Sequence, residues 1–393
     1  MLDLKKQSAI KYILFSALYF SEGIQLAITT VIVPIYLLEK QFSPALTTLI
    51  AGSVMIPWAL KFIFGFIVDS FPNIDRKTFT IVGGSFSAIG LIVLGFLTYS
   101  FNLAVFIIML LFAQCGIGFL DVSIDAWAIE STQKKERGKI NGTMMAGFFS
   151  GLAISTSLLS FIAEHNGYEL AFITAGIMIL MIMILPLLTK KTKLKTRTKK
   201  LTSLITKEFK KTKTKQIAIL LPIISINSGI ITLATPIFMN LELMLTIAQI
   251  GLITTVFTVS RIIGSISLGT LSDHINREKT LYFIVIATIL STAFLIFGNS
   301  WALLTFFYAI NGFLNGGLFS VLLASAMDIT NAKLGAFQFS ILISLMNAGE
   351  LSGELLSGSL ISLVGFTKLF LFASWILGPS LLLLFIMIKT RNH

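Results

Sequence analysis

The sequence predicts an all-α integral membrane protein of about twelve transmembrane helices in two pseudo-symmetric six-helix bundles, on three observations. Of its 393 residues 55% are hydrophobic and only 12% charged, with mean hydropathy +0.90, whereas a soluble chain is about a quarter charged. Cutting the apolar stretches at their polar breaks leaves about twelve segments of roughly 20 to 26 residues, each able to cross a hydrocarbon core of ~30 Å. A short charged pattern also recurs about half a chain apart, at Gly65…Asp69…Arg76 and Gly269…Asp273…Arg277.

Taken in order, the helices are expected at 12–37, 45–69, 78–99, 103–129, 140–163, 169–189, 216–240, 246–271, 280–298, 301–326, 336–363 and 366–388. The first follows Lys11 and stops before Lys40, and the second runs to Asp69. The third starts after Arg76-Lys77, and the fifth after the cluster Lys134, Lys135, Arg137, Lys139. The sixth ends where Lys190 opens a basic stretch closing at Lys215, and the ninth follows Arg277 and Lys279. The eleventh follows Lys333, and the twelfth spans Lys368 and ends before Lys389. Length and continuity favour helices, since strands of a membrane barrel would be ~10 residues of alternating polarity.

The formal net charge of +12 invites a nucleic-acid reading, but residues 190–215 hold 12 Lys or Arg against Glu208 alone. One loop thus supplies the basicity, no phosphate-binding face is indicated, and no nucleic-acid partner is expected. Membrane lipids are the expected partner of this loop, whose 201–209 portion suits a short interfacial helix. A single cysteine, Cys115, within an apolar segment excludes an internal disulfide and a cysteine zinc cluster. The N-terminal apolar run is too long for a secretory h-region and lacks a small-residue cleavage signal, so it reads as a retained helix.

Positive residues in short loops favour the cytoplasmic side. With both termini cytoplasmic, the inside holds Lys5, Lys6, Lys11, Arg76, Lys77, Lys134, Lys135, Arg137, Lys139, the basic loop, Arg277, Lys279, Lys333, Lys389 and Arg391, and the outside only Lys40 and Lys368. An even helix number in the cell membrane follows. The expected organisation is a bundle over 1–189, a basic cytoplasmic linker over 190–215 and a second bundle over 216–393. Internal symmetry of this kind marks transporters, whose site is expected near the midplane between repeats.

Gly269-x-Leu271-x-Asp273-x-x-x-Arg277-x-Lys279 resembles the signature loop of the major facilitator superfamily, with Asn276 where glycine is usual. In the first half an insertion, Ser70 to Ile74, lengthens the pattern. Lys61-Phe-Ile-Phe-Gly65, Val68-Asp69-Ser70-Phe71-Pro72 and Asp121-Val-Ser-Ile-Asp125-Ala126-Trp127 resemble the branch holding the AmpG muropeptide permeases, the folate-biopterin transporters and the acetyl-CoA transporters. The resemblance implies a transporter of mid-sized organic solutes bearing an anionic group, and conformational latches at Asp69, Arg76, Asp273 and Arg277 beside the motif glycines Gly65 and Gly269.

An ionisable side chain within a span costs at least ~2.5 kcal/mol at the helix centre and is a functional candidate by default. Seven are present: Glu22, Lys61, Asp121, Asp125, Arg261, Glu350 and Glu354. Glu22, Asp121 and the Glu350/Glu354 pair, one turn apart on one face, are the proton-coupling candidates; the plain alternative is that a carboxylate only neutralises Arg261 or Lys61. Those two cations are the candidates for an anionic group of the solute, although Lys61 also suits a fixed bridge to Asp121 or Asp125. Gln25, Asn227, Asn311 and Asn315 are candidate hydrogen-bonding walls and Tyr19, Trp58 and Trp127 candidate stacking surfaces, with helix packing as the alternative. Asp125 and Glu130 are expected to meet positive loop residues in an intracellular gate.

There is no phosphate-binding Gly-x-x-x-x-Gly-Lys-Ser/Thr loop and no His-Glu-x-x-His, so ATP-driven pumping and zinc chemistry are unsupported and no cofactor or metal is expected. The function expected is secondary active transport, proton-coupled symport of the solute by a monomer through alternating access. A lipid or lipid-linked-sugar translocase on the same scaffold is the alternative, and an enzyme is not expected.

Overall fold

A computed structural model describes residues 8–71, 73–132, 136–190, 208–330 and 335–391. Most of the basic linker, the interfacial-helix segment before Glu208, and loop lysines such as Lys134, Lys135 and Lys333 lie outside the described residues. Helix dominates, and there is no β-strand among the described residues.

Eleven helical runs among the described residues are long and apolar enough to cross a membrane. We number them α1 (Ala9–Glu39), α2 (Pro44–Val68), α3 (Arg76–Leu97), α4 (Leu103–Ser131), α5 (Lys139–Asn166), α6 (Tyr168–Leu187), α7 (Thr212–Leu241), α8 (Ile247–His274), α9 (Arg277–Phe297) and α10 (Trp301–Asp328). The eleventh, Gln338–Lys389, has 52 residues. At ~1.5 Å per residue it is more than twice the hydrocarbon thickness. It turns back at Gly365, whose φ of 75° and ψ of 172° are non-helical and open to glycine. It therefore makes two crossings, α11 (338–364) and α12 (366–389), and the described chain contains the twelve spans the hydropathy predicts.

The helix starts have local causes. Asp75, Asn102, Asn276 and Ser300 each accept a hydrogen bond from a backbone N–H of the first turn of α3, α4, α9 and α10. This explains Asn276 in place of the usual glycine, because it caps α9 through Lys279 N at 3.1 Å. Three spans depart from the expected continuous form, α12 by a turn at Ile376–Leu377 and two in the first half of the chain. α1 contains a π-helical turn over Ile28–Ile32 just before Pro34, where the missing N–H leaves the regular ladder incomplete. α2 is in three pieces, Pro44–Val54, Ile56–Ala59 and Lys61–Ser70.

The chain divides into two compact units. The first comprises Met1–Tyr36, Val54–Arg197 and Thr246–Thr255, and the second Leu37–Ser53, Thr198–Leu245 and Val256–His393. Within the first, α1 packs on α5 and α3 on α4 and α6; within the second, α7 packs on α11 and α9 on α10. Closest approach depends on glycine. A Cβ on Gly23 would strike the Phe148 carbonyl, and one on Gly229 the Glu350 carbonyl, so these helices meet backbone to backbone. Large apolar side chains such as Phe66, Leu363 and Trp375 are exposed while Glu22, Asn227 and Asn311 are buried, the distribution a hydrocarbon solvent imposes.

Candidate functional site

Within the first unit, α1, α2 and α4 bring four of the seven in-span ionisable residues together. Lys61 donates to Asp121 at 3.2 Å, and Tyr19 donates its phenol proton to Asp125 at 2.5 Å. Glu22, one turn beyond Tyr19, is 2% exposed and lies in the electrostatic range of Asp121, Asp125 and Lys61. Its Oε1 is buried with no hydrogen-bond partner among the described residues. Three carboxylates thus share one cation, and that cation is engaged by Asp121. An ionised carboxylate in this position carries a desolvation cost of several kcal/mol unless a proton or a cation relieves it.

Gln25 sits on the same helix, 1% exposed, and accepts from Ser87 Oγ at 3.3 Å. Trp58 meets Phe148 edge-on at 6.1 Å. Trp127 is fully buried against Phe15 at 5.4 Å and belongs to the packing.

The second unit places its charges on different helices. Arg261 of α8 is 7% exposed, with its guanidinium over the Phe319 ring at 5.5 Å and within electrostatic range of Glu350 and Tyr308. Glu350 accepts from Ser228 Oγ at 3.3 Å, and that hydroxyl is also 3.5 Å from Asn315 Oδ1. Glu354, one turn on, is 3% exposed and its Oε2 has no partner among the described residues. Arg261, Glu350 and Asn315 are therefore neighbours in one polar patch. Asn227 and Asn311 are elsewhere. Asn227 donates to Ala373 O at 2.8 Å, and Asn311 to Ser291 Oγ at 3.1 Å and Thr292 Oγ1 at 3.0 Å. Both are fully buried and their amides join α7 and α10 to α9 and α12, the packing alternative.

The expected latches separate from these interiors. Arg76 donates to Glu130 at 3.3 Å and to Val68 O at 2.7 Å. Arg277 bonds Asp273 at 2.9 Å and Asp328 at 3.1 Å. Among the described residues Asp125 makes no ion pair with this network and accepts instead from Tyr19 of α1; the loop lysines expected to reach it lie outside them. Asp69 lies in the helix, and its side chain is outside the described ones. Gly269 is tight against Ser320, whereas a Cβ at Gly65 would make only an ordinary 3.5 Å contact with Val122. Sequence reading missed Ser228, Tyr308, Phe319 and Asp328. Asp328 could have been found, because it ends α10 as Glu130 nears the end of α4, about 200 residues earlier.

A family model described as Major Facilitator Superfamily matches residues 15–226 and 217–393. Folate transporter 1 of Plasmodium falciparum (isolate 3D7) is 27% identical over 146 residues, 36% of this chain and 28% of that protein's length, so the match spans less than a third of that relative. Among solved structures, the nucleoside transporter NupG superposes with a TM-score of 0.75 at 14% identity over 100% of both chains. A bacterial homologue of the human lysosomal transporter Spinster superposes with a TM-score of 0.74 at 13% identity over 96% of this chain and 95% of its own. At such identities these structures share the fold.

Proposed function

We propose, from the premise that the chain belongs to the major facilitator superfamily and is a multi-pass membrane transporter rather than an enzyme, that it is a proton-coupled secondary carrier of a mid-sized organic solute bearing an anionic group. The observation that carries proton coupling is Glu22, buried in the first unit with an open acceptor beside a cation already held by Asp121. Protonation relieves the charge without a solute. Glu354 is the corresponding candidate in the second unit.

Arg261 is the group we assign to the solute's anion, because its forked donors suit a carboxylate or phosphate. Lys61 is the weaker candidate since Asp121 occupies it. Similarity of part of the chain to a folate transporter supports a solute of that size and charge. In this reading two six-helix bundles, 1–189 and 216–393, joined by the basic linker 190–215, alternate access across the cell membrane as a monomer with cytoplasmic termini. The linker faces anionic lipid.

The test is uptake by proteoliposomes of labelled folate and a panel of organic anions and zwitterions, with and without an imposed pH gradient. Gradient-driven accumulation that disappears in Glu22→Gln is expected. Equal, gradient-independent flux in wild type, Glu22→Gln and Glu350→Gln would remove proton coupling and leave facilitation or exchange. Silence across the panel would bring the lipid-translocase alternative forward.

A further inference from the structure

α1, α2 and α8 are the helices through which the boundary of the compact units passes, between Tyr36 and Leu37, between Ser53 and Val54, and between Thr255 and Val256. They are built differently. α8 is one uninterrupted helix over Ile247–His274. α2 breaks at Met55 and again at Leu60, within seven residues of the boundary. The break has a chemical cause in Pro57, which cannot donate to the Ser53 carbonyl and crowds it. The ladder is replaced by tighter bonds, Trp58 N to Met55 O at 3.0 Å and Ile63 N to Leu60 O at 2.9 Å. Leu60 lies at φ −94° and ψ 18°, outside the helical basin.

Each side of the break is anchored in a different unit. In the second unit, Gly358 accommodates the Thr48 side chain and the Pro44 carbonyl, so the first piece of α2 lies flush on α11. In the first unit, Phe64 covers Gly118 and Lys61 holds Asp121 on α4. Lys61 is the first residue after the second break. The cation that bridges α2 to α4 is thus attached directly to the discontinuity.

We propose that the broken stretch 55–60 of α2 is a hinge of the transport cycle, and that Lys61 sets its angle by exchanging Asp121 for Glu22 when Glu22 is ionised. Lys61 is a positioning residue in this scheme, and the inference rests on the proton-coupling reading of Glu22. The charged and titratable groups facing Glu22 and Lys61 are Tyr19 on α1 and Asp121 and Asp125 on α4. α5 meets this part of α1 with Phe148, Gly151 and Leu152 and α3 with Ser87, none of them titratable. With Glu22 neutral, Lys61 stays on Asp121 as seen here. With Glu22 ionised, two acceptors compete for one ammonium, and the hinge lets the following piece of α2 follow it.

The test is a pulsed-EPR distance measurement on the full chain in proteoliposomes, with spin labels at Leu49→Cys and Phe66→Cys in a Cys115→Ser background. Both labelled sites are exposed and about 25 Å apart along a helix. Spectra at about pH 5.5 and about pH 8 span the range between carboxylate and neutral pKa values. A pH-dependent distance shift of a few ångström is expected, absent in Lys61→Gln and Glu22→Gln, restored in Lys61→Arg, and reduced in Pro57→Ala.

A distance that ignores pH, or a shift that survives in Lys61→Gln, overturns the hinge. Uptake in the same vesicles separates the two ideas. Gradient-driven uptake with a fixed distance keeps proton coupling and removes the hinge, whereas a Lys61-dependent shift without gradient-driven uptake keeps the hinge and removes coupling.

Discussion

The two units repeat their packing and differ in their chemistry. Gly23, Gly147 and Gly151 seat α1 on α5, and Gly229, Gly349 and Gly353 seat α7 on α11 in the same order and about 200 residues later. At the matched contact, however, Phe148 in the first unit stands where the second has Glu350, and Glu22 stands where it has Ser228. The first unit therefore carries its carboxylates on α1 and α4 with Lys61 as cation. The second carries them on α11 with Arg261. Backbone contact at glycine is demanding and leaves few alternatives, while the side chains beside it are free to change; that freedom is where the two interiors differ in chemistry.

The largest expected effect tests the shared part. Gly23→Leu and Gly229→Leu should each abolish monodisperse folded protein, because the new side chain meets backbone that has nowhere to move. Gly142→Leu, on α5 with nothing within 4 Å of its Cβ, should purify normally by size-exclusion chromatography. Loss in one unit alone would break the claim that their packing is equivalent.

Next come the carboxylates. Glu22→Gln should lower gradient-driven accumulation about tenfold or more while leaving solute exchange at equal pH within about twofold, an effect on one step rather than on uniform binding. Glu350→Gln should instead weaken apparent solute affinity, since Glu350 neighbours Arg261. The opposite assignment in a flux assay would exchange the roles of the two units.

The two loop arginines predict a smaller difference. The Arg76 side chain is 11% exposed and holds both Glu130 and a backbone carbonyl; that of Arg277 is 26% exposed and pairs with carboxylates that are themselves more than half exposed. Arg76→Ala should cost ~1–3 kcal/mol through the acceptors it strands, and Arg277→Ala less than ~1 kcal/mol, read as thermal shifts in detergent. The smallest effect should be Lys213→Gln. Its bond to Glu278 at 3.0 Å comes from a side chain 55% exposed, so a change within ~0.5 kcal/mol is expected.

Much of the fold was legible because hydropathy is a sum along the chain. The span count survived even where one helix runs through Gly365, since the length of that run demands two crossings. The discontinuity in α2 was not legible by the same route, because hydropathy does not register a lost hydrogen bond. Nor was proline alone a sufficient signal: α7 contains Pro222 and Pro236 and continues through both, whereas α2 breaks around Pro57. Within the site, Glu22, Lys61 and Asp121 were legible as charges in apolar segments. Their partners were not: a position near the cytoplasmic end of α4 points Asp125 to the loop residues, and only the packing of α1 on α4 shows Tyr19 beside it.

By itself the sequence determined the membrane as solvent, the number of crossings, the charge asymmetry of the loops and the identity of the buried ionisable residues. Each of these depends on composition over a contiguous stretch. Tertiary structure decided which carboxylate holds Lys61, which is left open, and which asparagines are spent on packing. Those outcomes depend on the rotation of each helix and on residues from a different helix, at ranges of a few ångström that no spacing along one chain encodes.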